Sequence, residues 1–72
     1  MENRDMVRMA NQIAAYFEAY PRKEALEGIA KHVRLFWDPR MRAQLSEYVD
    51  GGGKDLSPLV ITAVGSLAAE KK

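Results

Sequence analysis

The sequence predicts an all-α protein, a small bundle of three to four short helices. Three observations predict it. Apolar residues recur at helical spacing along most of the chain. Proline or glycine interrupts that spacing at short intervals. Two of the interruptions, Asp38-Pro39 and Ser57-Pro58, put a capping side chain directly before a proline, which is a helix-start pattern. The 72 residues are expected to form one domain, residues 1–72.

The first helix is expected from about Asp5 to Ala19. Met6, Met9, Ile13, Phe17 and Tyr20 fall on one stripe, with Ala10 alongside. Asp5 or Asn3 is the expected N-cap. Pro21 disfavours helical geometry at Tyr20 and ends the helix there. The second helix is expected from about Pro21 to Trp37. Leu26, Ile29, Ala30, Val33, Phe36 and Trp37 make its apolar stripe. Glu24 and Glu27 come early and Lys31, His32 and Arg34 late, which complements the helix dipole.

Asp38 then caps a third helix, with Pro39 as its first residue, running to about Val49. Met41, Leu45, Tyr48 and Val49 share its inner side. Gly51-Gly52-Gly53 ends it and is expected to be a flexible turn. The fourth helix is expected from about Pro58 to Ala69. Leu59-Val60-Ile61 is β-branched enough to allow a strand, but the cap and the later alanines favour helix. Glu70-Lys71-Lys72 is expected to be a frayed polar tail.

Composition excludes several functions. There is no cysteine, so no disulfide and no thiolate metal site. There is one histidine, His32, with Gly28 and Phe36 at one helical turn on either side; a surface position is expected. No nucleophile has a base beside it in a recognisable motif. Gly51-Gly52-Gly53-Lys54 lacks the spacing and preceding strand of a phosphate loop. No catalytic residue, metal ligand or cofactor-binding residue is expected in this chain. The net charge is +1, from 11 basic and 10 acidic side chains, which is no footprint for nucleic acid. Leu56 to Ala69 is shorter than the roughly 20 residues of a membrane helix. A soluble, cytoplasmic chain is expected.

Partner docking is the expected role. A chain this short buries only about 60% of its unfolded surface, and association is one way to compensate. In the fourth helix Leu59, Val60, Ala63, Val64, Leu67 and Ala68 span roughly 180°, and Ile61 widens the arc, against about 100° for a surface helix. That predicts a helix between its own bundle and another protein. Gly28 and Leu35 share the face opposite the second helix's stripe, where a glycine admits another backbone. Trp37, Arg40 and Arg42 sit at the corner between two helices, and Trp and Arg dominate many interfaces. The candidate interface is therefore Gly28, Leu35, Trp37, Arg40, Arg42, Leu59, Val60 and Ile61.

One resemblance sharpens this. The residues involved are Met9-Ala10-Asn11-Gln12-Ile13, Phe17 before Pro21, Ala25, Gly28-Ile29-Ala30 and His32. Phe36-Trp37-Asp38-Pro39-Arg40-Met41-Arg42 is the most specific stretch, and the glycine turn and Ser57-Pro58-Leu59-Val60 close it. Together they resemble the delta subunit of cytosolic, NAD-dependent, molybdenum-containing formate dehydrogenase. The resemblance implies a non-catalytic accessory subunit that binds the large catalytic subunit and stabilises the complex. It also implies that partner subunits carry the molybdenum cofactor, iron–sulfur clusters and FMN. An assembly chaperone for the same enzyme is the alternative. Short helices with Arg40-Met41-Arg42 near a helix start also fit a small helix-turn-helix nucleic-acid binder, against which the near-neutral charge argues.

Overall fold

The computed structural model describes the backbone of residues 2–70 and the side chains of residues 2–67. It contains four helices, α1 (Asn3–Phe17), α2 (Arg22–Phe36), α3 (Pro39–Asp50) and α4 (Pro58–Glu70), and no strand among the described residues. Leu59-Val60-Ile61 is helical, as the cap before it favoured. Ser57 accepts the Leu59 N–H at 3.3 Å through Oγ, and its carbonyl accepts from Val60 and Ile61.

The helix ends show where local chemistry decided the boundary. Asp38 caps α3 as expected, its Oδ1 accepting the Met41 N–H at 2.9 Å. The start of α1 differs from expectation. Its N-cap is Glu2, which makes no side-chain capping bond. Asp5 lies inside the first turn and pairs with Arg8 at 3.3 Å. Helix α1 stops at Phe17, earlier than Ala19, and the Tyr20 N–H turns back to the Phe17 carbonyl at 3.0 Å. Pro21 takes the N-cap position of α2 rather than its first helical position. Lys71 and Lys72 of the expected tail lie outside the described residues.

The core joins all four helices. Met6, Ala10 and Ala14 of α1 meet Ile29, Ala30 and Val33 of α2, Leu45 of α3, and Val60, Ala63 and Val64 of α4, with Trp37 and Leu56 closing it. Helix α4 packs on α2, α3 and α1. This central position accounts for its wide apolar arc. Val60, Ala63 and Val64 are buried, while Leu59, Ile61 and Leu67 are half-buried against the same core. The Ala68 side chain lies outside the described residues.

The α3–α4 connection is built, not the flexible turn expected from three glycines. The Gly53 N–H donates to the Tyr48 carbonyl and Gly52 to Val49, both at 3.0 Å, closing the end of α3. Gly52 and Gly53 hold positive φ of 119° and 62°. Gly53 is buried under Ile61, whose Cδ1 lies 3.0 Å from where a Cβ would stand. The Tyr48 hydroxyl donates to the Lys54 carbonyl at 2.8 Å. Asn11 of α1 secures the far side of the loop, giving a hydrogen bond to the Asp55 carbonyl at 2.9 Å and accepting the Ser57 N–H at 2.8 Å.

Candidate functional site

Helices α1 and α2 pack together, with Phe17 at the end of α1 against Gly28 of α2. An open groove of about 560 Å³ lies between them, lined by Met9, Gln12, Ile13, Tyr16, Phe17, His32 and Trp37. Its lining holds no carboxylate and no lysine or arginine. Polar groups enter only through the Gln12 amide, the Tyr16 hydroxyl, the imidazole of His32 and the indole of Trp37. Such a surface offers apolar contact with a few orienting hydrogen bonds.

Further aromatic rings stack on the groove's residues from both walls. Tyr16 meets Phe17 edge-on with centroids 4.9 Å apart, and Tyr20 lies 5.5 Å from Phe17 and 6.2 Å from Tyr16. On the other wall His32 lies 4.8 Å from Phe36. His32 is half-buried there rather than on the open surface. Of the described large apolar side chains most open to solvent, Phe36 (72% exposed), Tyr16 (68%) and Tyr20 (44%) stack on groove residues, and Leu35 (62%) is exposed beside Phe36 in sequence. Leu35 and Phe36 stand one turn beyond His32 on the same side of α2.

Phe36 and Tyr20 therefore leave the core stripes to which their spacing assigned them. Tyr20 follows the end of α1, and Phe36 is the last residue of α2. A hydrogen bond with the Tyr16 side chain raises the Tyr20 hydroxyl above the ordinary value of 10.0; the Tyr16 charge, desolvation and Glu24 act the same way.

The residues of the candidate interface fall in different environments. Leu35 and Arg40 are exposed. Trp37 (5% exposed) and Val60 (1%) belong to the chain's own core, and Leu59 and Ile61 pack half-buried against it. At Gly28 a close approach occurs within the chain itself: the Phe17 ring stands where a Cβ on residue 28 would have to lie. Arg42 is half-buried, and its Nε is enclosed without a hydrogen-bond partner. Sequence reasoning missed Tyr16 and Phe36 as surface residues. The available signal was the Tyr16–Tyr20 pair, two amphipathic rings one turn apart immediately before a helix stop.

No group of three or more His, Cys, Asp or Glu among the described residues could hold a metal. No helix among them is long and apolar enough to cross a membrane. Fold and groove together define a class: small all-α chains that present an aromatic surface rather than a reactive cleft. The chain belongs to the FdsD family, the NADH-dependent formate dehydrogenase delta subunits, whose family model matches residues 5–64. This is a family of non-catalytic accessory subunits. No curated protein and no solved structure matches the chain.

Proposed function

We propose that this chain is the delta subunit of a cytoplasmic, NAD-dependent formate dehydrogenase, docking on its large subunit and stabilising the assembly. In this reading the large subunit holds the molybdenum cofactor and iron–sulfur clusters, and further partners hold FMN. The observation that carries the proposal is the family match over residues 5–64. The exposed aromatic surface supports it, because contiguous apolar exposure is uncommon on a chain that works alone. Leu35 and Arg40 remain interface residues in this reading. Arg42 joins them, since its enclosed Nε lacks an acceptor that a small rearrangement on docking would bring.

The test is deletion of this chain followed by purification of the remaining complex. The expected result is a less stable complex or one with a lower molybdenum content, with formate-dependent NAD reduction falling in proportion. Subunit counting in the active wild-type enzyme must then find this chain in fixed ratio to the large subunit. A chain needed for yield but missing from mature enzyme would make it an assembly chaperone. Unchanged yield, molybdenum content and turnover would end the accessory reading.

A further inference from the structure

We infer that Arg42 is a docking anchor, left without a partner in the free chain and completed by a carboxylate of a partner subunit. The inference rests on the accessory-subunit reading and deepens it by naming the residue and the chemistry it meets. Burial gives the first argument. Arg42 is half-buried near the start of α3, and its Nε is closed off from water with no hydrogen-bond acceptor. Nearly all enclosed polar groups in folded proteins are paired, so an enclosed donor without an acceptor needs an explanation. Docking supplies one. A guanidinium is matched best by a carboxylate, which takes two of its N–H groups at once.

The chain's own carboxylates give the second argument. Between Glu27 and Glu47 the sequence holds the cations Lys31, Arg34, Arg40 and Arg42 and a single carboxylate, Asp38. Asp38 stands four positions before Arg42, a spacing that pairs opposite charges inside a helix. Here it is instead the N-cap of α3, its Oδ1 accepting the Met41 N–H at 2.9 Å. Glu27 lies with Lys31 and Arg34 in a depression lined also by Ser66 of α4. Neither Arg40 nor Arg42 has an ion-pair partner among the described residues. Exposed Arg40, two positions earlier, adds positive charge at the same helix start. The first turn of α3 therefore favours an approaching carboxylate.

A nucleic acid fits this site less well. Outside the stretch from Glu27 to Glu47 carboxylates outnumber cations, so the remaining surface repels phosphates.

The experiment uses the full chain, alone and in the complex. Arg42→Met keeps a long side chain but removes the charge and the donors. It should raise the denaturation midpoint of the free chain, because an unsatisfied donor is gone. The same change should lower retention on the complex by about tenfold or more. A gain in stability joined to a loss in docking marks a group kept for a partner. Arg42→Lys gives a second readout. A carbodiimide should join the introduced amine to a carboxylate of a partner subunit as an amide, with loss of water. Wild-type retention of Arg42→Met would overturn the anchor and leave the accessory reading intact. An unchanged or lowered midpoint would assign the guanidinium to the chain's own packing and sink the inference. So would a cross-link to a carboxylate of this chain or of a second copy. Binding of duplex DNA that Arg42→Met abolishes would give the site to phosphates and overturn it as well. Failure of the wild-type chain itself to co-purify would overturn both readings.

Discussion

Asn11 and Ser57 are joined by a 2.8 Å hydrogen bond that ties the middle of α1 to the cap of α4, 46 positions later in the chain. The same amide gives its other hydrogen bond to the Asp55 carbonyl at 2.9 Å, so one side chain holds both sides of a turn. Asp55 has φ of 67°, a left-handed conformation that only a few side chains tolerate. Asn11→Ala leaves a partly buried N–H and a carbonyl without their partner. It should lower stability by about 1–3 kcal/mol in a denaturant melt. Asn11→Asp keeps an acceptor for Ser57 but turns a donor into a carboxylate facing the Asp55 carbonyl, and should not restore the loss.

Gly28 against Phe17 gives a second prediction. Alanine at position 28 gains about 1 kcal/mol in helix propensity. Its Cβ would enter the Phe17 ring, however, and crowding of a packed ring costs about 1–3 kcal/mol. Gly28→Ala alone should therefore be neutral to destabilising. In a Phe17→Ala background the same change should become stabilising. A double-mutant cycle checks this, and additive effects would contradict the contact.

Phe36 and Trp37 are adjacent aromatics with opposite placement, 72% and 5% exposed. Trp37→Ala should cost about 3–5 kcal/mol. Phe36→Ser should change stability of the free chain by no more than about 0.5 kcal/mol. Thermal melts of the two variants decide it; equal losses would put Phe36 in the core.

The Tyr16–Tyr20 pair makes the chain's aromatic end sensitive to alkali. Tyr20 ionises above the ordinary value, chiefly because of its hydrogen bond with Tyr16. A raised folded pKa means that the neutral hydroxyl is favoured in the folded state. Its contribution is fully present below the unfolded pKa near 10.0 and is lost as pH rises through the higher folded value. Tyr16→Phe should move the Tyr20 midpoint down toward the ordinary value. Ring-carbon NMR titration measures this residue by residue.

Punctuation made most of this fold legible. Asp38-Pro39 and Ser57-Pro58 marked two helix starts because their determinants are local: a cap and a missing N–H within one turn. Met6, Ile29, Val33 and Leu45 were readable as core because helical spacing survives packing. Phe36 was misassigned because periodicity reports the approximate angle of a side chain, not whether another element packs there; Trp37, the next residue, is the one the core takes in. Gly28 was placed on an outer face for a related reason, since only the packing of α1 on α2 brings Phe17 to it. Asn11 entered only as part of the family resemblance and gave no sign of its structural role; a polar residue in an amphipathic helix acquires such a role from a loop distant in sequence. The groove was hidden for the same reason, since its two walls come from different helices and neither wall alone is concave.

The central placement of α4 has a consequence for synthesis. Residues 58–67 supply the buried wedge that completes the interior, yet they follow the other three helices in the chain. Until they leave the ribosome, Met6, Ile29 and Leu45 have nothing to close over them. The nascent polypeptide therefore shows more apolar surface before α4 emerges than after it.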